Sequence, residues 1–340
     1  MSLDLSSRRQ VGATQLALPP MGFGAAHLGG MYNRLDGVAA RETLQAAWNG
    51  GIRHYDTAPY YGLGLSEHRL GDFLLDQPRD QFLITTKVGR VLHRPADPKA
   101  FDRGAWTYGL NFEIEWNYTY DGFMRAYEQS LIRLGLDTID ALIIHDLDVV
   151  AAHGEHHAGR LKDLMESGVK ALEELKRNGQ IKAIGMGLNV TEALETIATR
   201  VDIDFGIVAM PYTLLDQSSL QGMQRFAERG VSVIVGAPYA SGILATGPGP
   251  NARYRYGIAS DEIQERVRRI QAVCARYGVS LQAAALQFPL AHPAVVSIIP
   301  GGACPSEVAS NIDFLKETIP AAFWVELKGA GLIDPDAPTA

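Results

Sequence analysis

The sequence is poor in cysteine and in positive charge. Its 340 residues include 2 cysteines, Cys274 and Cys304, and 31 basic residues against 38 acidic ones, which gives a net charge of −7. Two cysteines cannot build a disulfide framework, so we expect a reducing, cytoplasmic compartment. The charge balance argues against a nucleic-acid partner, because a phosphate backbone is bound by a clustered positive surface.

The sequence also lacks a strong membrane signal. Its N-terminal residues contain no apolar signal core. One long segment, 277–306, has no Asp, Glu, Lys or Arg, but prolines and glutamines interrupt it. We interpret it as a buried helix followed by a buried strand rather than as a membrane span.

A G-x-G-x-x-G turn is missing after the first apolar run, which argues against an open doubly wound dinucleotide-binding sheet. The chain instead alternates short apolar runs with amphipathic segments. The runs are nearly continuous in Val, Ile, Leu and Ala, which is typical of parallel strands buried on both faces. Eight runs predict one (β/α)8 TIM-barrel domain over residues 1–340, with its core at about 20–320. The runs cover residues 21–26, 52–58, 82–88, 140–146, 181–188, 205–211, 231–238 and 295–301.

Two connections are unusually long, residues 89–119 and 239–260. Both follow the carboxyl ends of predicted strands, where barrel active sites lie. The first is rich in aromatic residues and is expected to form an ordered pocket wall. The second is rich in glycine and is expected to be a mobile flap. The tail, residues 333–340, is expected to fray.

Four chemically reactive residues lie where successive predicted strands end. Asp56 and Tyr61 follow the second run, Lys87 ends the third and His145 ends the fourth. A free tyrosine has a pKa of about 10, and a neighbouring ammonium group lowers it. Asp56 would orient Lys87, and His145 would donate a hydrogen bond to a substrate oxygen. Such a cluster could move a proton during hydride transfer to or from a cofactor.

Each of these residues also has a structural interpretation. A lysine at a strand end is often part of a rim ion pair, and a buried histidine is often a hydrogen-bonded core residue. Their coincidence on three successive strand ends favours the catalytic interpretation.

The motif Asp56-Thr-Ala-x-x-Tyr61-Gly, with Ser66-Glu67 and Leu70-Gly71 after it, resembles the signature of the aldo-keto reductases. Lys87, His145, and Ile299-Pro300-Gly301 with Asn311 downstream extend the resemblance over residues 22–311. It implies an eight-stranded barrel that binds a nicotinamide dinucleotide. It also implies that Tyr61 is the general acid/base, that Lys87 and Asp56 tune it, and that His145 orients the substrate oxygen.

The implied cofactor site departs from the family pattern. An asparagine that holds the nicotinamide carboxamide is present one place late, as Asn189. The stacking aromatic is missing near Gly236, where Tyr239 or Tyr212 could substitute. The expected cofactor contacts are Asn189, Gly236, Ser241, Gly242, Leu244, Gly301, Gly302, Glu307 and Asn311.

Gly301 and Glu307 stand where many NADP-using members carry a lysine and an arginine. Glutamate repels a 2′-phosphate and accepts hydrogen bonds from a free ribose diol. This favours NAD, with NADP possible. In the alternative interpretation, Glu307 is a solvated residue in the first turn of a helix.

A closer resemblance is to the aldose 1-dehydrogenase branch of the family, carried by residues 24–26, 118–122, 145–148 and 236–238. It implies oxidation of an aldose of the L-fucose or D-threo-aldose type at C1 to the lactone. Tyr60 and Trp116 would stack on the sugar, and Asp146 or Asp148 would bind its hydroxyls. Alternatives are a pyridoxal 4-dehydrogenase, an NADPH-dependent carbonyl reductase and a cofactor-binding regulatory subunit with little turnover.

A histidine cluster, His153, His156 and His157, is the remaining candidate for a metal site. A metal centre needs three or four convergent ligands. We interpret the cluster as part of a substrate-side or solvated loop, and we expect no metal.

Overall fold

The computed structural model describes residues 4–31, 34–148, 150–189, 197, 201–255 and 257–340. Within them, eight parallel strands form the central sheet, one from each predicted run, and neighbours in the chain are neighbours in the sheet. The strands are β1 Phe23–Gly24, β2 His54–Asp56, β3 Leu83–Val88, β4 Ala141–Ile144, β5 Ala183–Leu188, β6 Phe205–Val208, β7 Ser232–Val235 and β8 Val295–Ile298.

The sheet closes on itself. Met21 forms a parallel bridge with Ile298, and Gly24 N donates a hydrogen bond of 3.0 Å to Pro300 O. The predicted (β/α)8 barrel is therefore confirmed, and closure brings the carboxyl ends of all eight strands to one rim.

Helices surround the barrel and connect its strands. The longer ones in the described residues are α1 Gly37–Asn49, α2 Leu65–Leu74, α3 Tyr120–Leu134, α4 Val169–Arg177, α5 Leu220–Glu228, α6 Asp261–Tyr277, α7 Leu281–Leu290, α8 Pro305–Lys316 and α9 Ala321–Gly329. Short helical segments occupy Ala25–Gly29, Arg79–Gln81, Val150–His153, Gly154–His156, His157–Asp163, Leu164–Gly168, Ala240–Gly242 and Ile243–Thr246.

Local sequence signals explain several helix ends. Thr119 caps α3 through a side-chain oxygen that accepts from Gly122 N, and Ser280 caps α7 in the same way. Gly135 and Gly278 end α3 and α6 in the left-handed conformation. The uncharged segment 277–306 contains the buried helix α7 and the buried strand β8, as predicted. No helix in the described ranges has the length and hydropathy needed to cross a bilayer.

An N-terminal hairpin of Arg9–Gln10 with Ala17–Leu18 closes the floor of the barrel. Its Val11, Leu16 and Leu18 are buried in one cluster with side chains from inside the barrel, including Ile143 and Phe205. The amino end of the barrel is thereby filled with apolar atoms, so the rim at the other end is the place for a site.

Two buried carboxylates also brace the floor. Asp140 accepts hydrogen bonds from Ile84 N at 2.9 Å and pairs with Arg79 and Lys182. Asp204 accepts from Ile184 N at 2.8 Å and pairs with Lys176. Each carboxylate ties the start of one strand to its neighbour.

The expected fraying of the tail is wrong. Ile333 and Ala337 are buried, and Asp334 N donates to Gln217 Oε1 at 3.1 Å.

Both long connections contain structure of their own. A hairpin of Arg90–His93 with Glu113–Trp116 lies in the first. The second contains the pairing of Arg253–Tyr254 with Gly257–Ile258, and its Ile243 is fully buried. The second connection is thus anchored to the core and is not a bare glycine flap.

Candidate active site

The carboxyl ends of β2, β3 and β4 bring the four predicted catalytic residues together. Lys87 Nζ lies 2.6 Å from Asp56 Oδ2, and both side chains are 3% exposed. The same ammonium group is 4.8 Å from the centroid of the Tyr61 ring. The rings of Tyr61 and His145 are 6.1 Å apart and perpendicular, at 89°.

Asp56 is held from both sides. Its Oδ1 accepts from Thr85 Oγ1 at 2.8 Å, while Lys87 Nζ donates to Oδ2 and, at 2.7 Å, to Thr57 O. His54 Nε2 lies 3.2 Å from Thr85 Oγ1 and extends the chain of contacts. The buried lysine therefore has a fixed position and a full countercharge.

The turn after β2 places Tyr61 over this pair. Gly62 adopts φ of 65°, and a Cβ atom on it would collide with the backbone of Gly29. Glycine is required there because both the conformation and the close approach exclude a side chain. The motif spacing Tyr-Gly is thus a packing requirement as well as a signature.

Burial decides the protonation of Tyr61. The pKa of its phenol is raised well above its ordinary value, first by burial and then by the carboxylates of Asp56 and Asp146, against an opposing influence of Arg90. The expectation that Lys87 lowers this pKa overall is therefore wrong, since desolvation outweighs the neighbouring positive charge. The phenol is protonated near neutral pH.

Arg90 contacts two residues of the candidate site, and the sequence did not predict it. Its Nη1 lies 2.5 Å from His145 Nδ1, and its Nη2 lies 2.7 Å from Asp146 Oδ2. Burial acts to raise the pKa of the Asp146 carboxyl. The positive charges of His145, when protonated, and Arg90 outweigh burial and lower this pKa to about 2. The available signal was the second basic residue in Lys87-Val-Gly-Arg90, directly after a strand that already supplies a candidate catalytic lysine.

The proposed sugar-stacking residues are already stacked on protein. The Arg90 guanidinium lies 4.4 Å from the Tyr60 ring centroid and 4.0 Å from that of Trp116. Trp116 also contacts His153 edge-on at 4.5 Å. Trp116 therefore supports Arg90, and because the residue is only half-buried, its contact with a sugar stays a prediction.

Trp106 supplies the apolar wall instead. It is almost fully buried, with its ring centroid 5.3 Å from that of Tyr60 and 5.8 Å from that of Tyr61. This contact places a residue of the connection 89–119 against Tyr60 and Tyr61, as expected for a wall of the site.

The two aspartates after β4 have different roles. The Asp146 side chain is 25% exposed and lies 3.4 Å from His145 Nε2, so it can reach a ligand. Asp148 is buried and accepts a hydrogen bond from Asn189 N. Asp148 thus fixes the end of β5 and is not a direct contact for a sugar hydroxyl.

Histidines on the next segment brace this loop. His153 Nε2 lies 2.8 Å from Asp146 O, and His157 Nε2 lies 2.9 Å from Leu147 O. His156 is exposed. Over the described ranges, no group of three His, Cys, Asp or Glu side chains has a geometry suited to a metal ion.

The expected cofactor residues lie on the remaining strands of the rim. Asn189 follows β5 and its Nδ2 is 3.4 Å from Asp146 Oδ1. Gly236 extends β7, and Gly301 and Gly302 follow β8. Tyr239 Oη donates to Asn311 Oδ1 at 2.6 Å, and Asn311 Nδ2 donates to Gly301 O at 3.1 Å. This chain of contacts ties the loop after β7 to the loop after β8.

Two residues of the expected set are in the core. Tyr212 is fully buried and stacks on Phe288 at 5.5 Å, so it cannot stack on a nicotinamide ring. The Leu244 side chain is also fully buried, and its backbone N–H is used by Tyr239 O. Sequence position alone did not reveal this, because both residues are close along the chain to open loops.

A family model described as the aldo/keto reductase family matches residues 20–331. The chain belongs to the aldo/keto reductase family. Its similarity to a D-threo-aldose 1-dehydrogenase of Pseudomonas sp is 40% identity over 96% of this chain and 98% of that protein. Its similarity to a pyridoxal 4-dehydrogenase of Microbacterium luteolum is 38% identity over 98% of this chain and 100% of that protein.

Solved structures agree with this assignment. An aldo-keto reductase of Bacillus halodurans in its holo form superposes with a TM-score of 0.72, at 26% identity and with 93% of each chain covered. A glycerol dehydrogenase of Gluconobacter oxydans has a TM-score of 0.75 over 99% of this chain and 98% of that one, and at 19% identity it supports the fold alone. The chain is therefore an NAD(P)-dependent oxidoreductase of the aldo/keto reductase family.

The rim of this aldo/keto reductase fits a nicotinamide dinucleotide. Ser241 and Gly242 are both left-handed, with φ of 62° and 102°, and no atom lies within 4 Å of where a Cβ on Gly242 would be. A Cβ on Gly301 would collide with the His27 ring. The open backbone at Gly242 lets a phosphate approach closely. The turn 301–307 offers the carboxylate of Glu307, whose Oε2 accepts from Ala303 N at 2.7 Å.

Proposed function

We propose that this aldo/keto reductase is an NAD-preferring dehydrogenase that oxidises an aldose of the L-fucose or D-threo-aldose type at C1 to the lactone. The observation that carries the proposal is the convergence of Tyr61, His145 and Asp146 at one point of the rim. A proton-transfer group, a hydrogen-bond donor and a partly exposed carboxylate suit a hemiacetal that carries a neighbouring hydroxyl. The 40% identity to a D-threo-aldose 1-dehydrogenase supports the same substrate class.

Residues of the chain would transfer the proton, orient the substrate and exclude water. Tyr61 reacts as the phenolate, which the Lys87 ammonium group beneath its ring stabilises. Its Oη takes the proton of the C1 hydroxyl and becomes the neutral phenol. His145 Nε2 orients the C1 oxygen, and the carboxylate of Asp146 accepts a hydrogen bond from the adjacent hydroxyl. The wall of Trp106 and Tyr60 excludes water. A bound nicotinamide ring supplies the hydride acceptor.

The preference for NAD rests on Glu307. The turn 301–307 contains no lysine or arginine, and Glu307 places a carboxylate in the first turn of α8. The bond from Ala303 N engages Oε2 and leaves Oε1 for a ribose hydroxyl. A 2′-phosphate at the same place would meet a negative charge. Asn189 would hold the carboxamide, and the backbone of residues 241–242 would approach the pyrophosphate.

Two other activities have support of their own. Pyridoxal oxidation is favoured by the aromatic wall of Trp106 and Tyr60 and by the 38% identity to a pyridoxal 4-dehydrogenase. Reduction of a carbonyl substrate with NADPH is favoured by the protonated state of Tyr61, which is then the required acid.

The deciding experiment measures initial rates of reduced-cofactor formation with NAD and with NADP on L-fucose, D-arabinose, D-galactose and pyridoxal. NAD-linked turnover of a sugar is expected. If pyridoxal alone is turned over, the proposed aldose substrate is wrong, whereas the proposed catalytic residues still apply. Cofactor binding without turnover on any compound would contradict the proposal and favour a reductase of another carbonyl or a cofactor-binding regulatory subunit.

A further inference from the structure

Arg90 joins the two residues that follow β4. Its Nη1 is 2.5 Å from His145 Nδ1 and its Nη2 is 2.7 Å from Asp146 Oδ2. The side chain is 4% exposed, and its guanidinium group lies between the rings of Tyr60 and Trp116. The enclosed, planar group therefore has one orientation, and that orientation addresses one nitrogen of the imidazole.

The chemistry of the guanidinium group decides what that nitrogen does. Arginine carries five N–H donors and no acceptor. His145 Nδ1 must therefore accept the hydrogen bond from Arg90, and it cannot carry a proton of its own. A neutral imidazole with a bare Nδ1 carries its proton on Nε2.

We propose that Arg90 is a positioning residue that fixes His145 as the neutral Nε2–H tautomer. The inference rests on the substrate-orienting role proposed for His145 and sharpens it. An imidazole held in this way donates a hydrogen bond to the substrate oxygen and cannot accept a proton from it. The proton released during oxidation then has one destination, Tyr61 Oη, and the two residues cannot exchange roles.

The charges around His145 agree with this assignment. Its neighbours are Asp146 on its own loop, Lys87 on β3, Arg90 on the hairpin after β3, and the rings of Tyr60 and Tyr61. Burial holds the pKa of His145 well below its ordinary value; Arg90 and Lys87 act in the same direction, and Asp146 acts against them.

Removal of Arg90 should alter this balance in a known direction. The carboxylate of Asp146 would then act on the imidazole without the opposing positive charge of Arg90, so the pKa of His145 should rise. Protonation at Nδ1 would also become possible, either in the other neutral tautomer or in the cation. Both changes reduce the fraction of enzyme that has a neutral ring with a proton only on Nε2.

The direct test is NMR of the full-length protein labelled with ¹⁵N-histidine, with His145→Gln used to assign the signals of His145. In the wild type, Nδ1 should show the shift of an unprotonated nitrogen and Nε2 that of a protonated one near pH 7. In Arg90→Met, the ¹⁵N shifts of Nδ1 and Nε2 should move towards each other, because protonation at Nδ1 becomes possible. A protonated Nδ1 in the wild type would overturn the proposal without any variant.

Kinetics supply an independent readout. Arg90→Met should lower kcat by roughly 10²- to 10⁴-fold, the range of defects in general acid–base groups and histidine tautomers. Between pH 5 and 8 it should also add a titration of His145 to the rise in kcat that ionisation of Tyr61 produces in the wild type. Arg90→Lys keeps the positive charge but cannot contact His145 and Asp146 through two separate nitrogens, so its kcat should also fall. Guanidinium ions at millimolar concentration should partly restore kcat to Arg90→Ala.

Arg53→Met is the matched control. Arg53 also stacks on a tryptophan, with its guanidinium carbon 3.8 Å from the Trp48 ring centroid, but it precedes β2 at the opposite end of the barrel. The Arg53→Met variant should leave kcat and the ¹⁵N shifts of His145 unchanged.

Failure of this inference and failure of the proposed function are distinguishable. If His145→Gln is inactive while Arg90→Met keeps wild-type kcat and shifts, Arg90 is not the positioning residue and the proposed function stands. If His145→Gln retains full activity, the proposed role of His145 is wrong, and the inference falls with it.

Discussion

Lys87 Nζ and Asp56 Oδ2 form a buried ion pair at 2.6 Å directly beneath the Tyr61 ring. Each partner offsets part of the cost of burying the charge of the other. The pair is therefore both a structural and a chemical unit, because the atoms that hold the ends of β2 and β3 together are the ones that act on Tyr61.

Removing both partners should cost less than the sum of the two separate removals. Lys87→Met leaves an uncompensated carboxylate and should lower the free energy of unfolding by about 3–5 kcal/mol. The double variant Asp56→Asn/Lys87→Met should be destabilised by less than the sum of the single variants. Urea unfolding of the four proteins measures this coupling, and strictly additive losses would contradict it.

Oxidation should accelerate as the solution becomes alkaline. Because burial raises the pKa of Tyr61, the phenolate is the minor form at neutral pH, and its fraction should increase about tenfold per pH unit below that pKa. The rate of NADH formation should follow this increase between pH 7 and 10. Reduction of a carbonyl needs the protonated form and should not rise over the same range.

Tyr61→Phe is the control for this pH dependence. It should abolish turnover at every pH and leave nucleotide binding, measured by quenching of protein fluorescence, close to that of the wild type. Persistent turnover would show that another group transfers the proton.

The nucleotide preference should follow the charge at residue 307. Glu307→Arg should shift the ratio of kcat/KM for NAD to that for NADP by roughly tenfold or more towards NADP, since a hydrogen bond to a charged group contributes about 1.5–3 kcal/mol. Glu307→Gln keeps the bond from Ala303 N while removing the charge, so it should give a smaller shift. An unchanged ratio in both variants would mean that residue 307 does not contact the nucleotide.

Mild acid should destabilise the fold through His54. Burial lowers the pKa of this ring to about 4, whereas in the unfolded chain it is about 6.5. The unfolded state therefore binds the additional proton first, and stability that is fully present above pH 6.5 is lost as the pH falls towards 4. The loss should approach about 3 kcal/mol.

Unfolding in urea at pH 7.5 and pH 5 tests the role of His54. His54→Gln should reduce the difference in stability between the two pH values, although it also removes the contact with Thr85. His156→Gln changes an exposed histidine and should leave that difference unchanged. Equal acid sensitivity in all three proteins would assign the effect to other groups.

The sequence predicted what depends on continuous apolar runs and on strand ends. Buried parallel strands carry a strong pattern, so all eight were found, and closure of the barrel then brought Asp56, Lys87 and His145 together. Arg90 was missed because its role depends on the register of a hairpin, which places it opposite Trp116. The raised pKa of Tyr61 could not be predicted either, since burial of a phenol is a property of the packed structure.

The sealed floor of the barrel has a consequence for engineering. The hairpin at Arg9–Gln10 and Ala17–Leu18 and the aspartates at 140 and 204 stabilise the amino end, and in the described residues their hydrogen bonds do not reach the rim. Effects on stability from distant sites without common contacts add. A destabilising change that reshapes the rim for a new substrate can therefore be compensated by improved packing at the floor, without altering the residues of the candidate site.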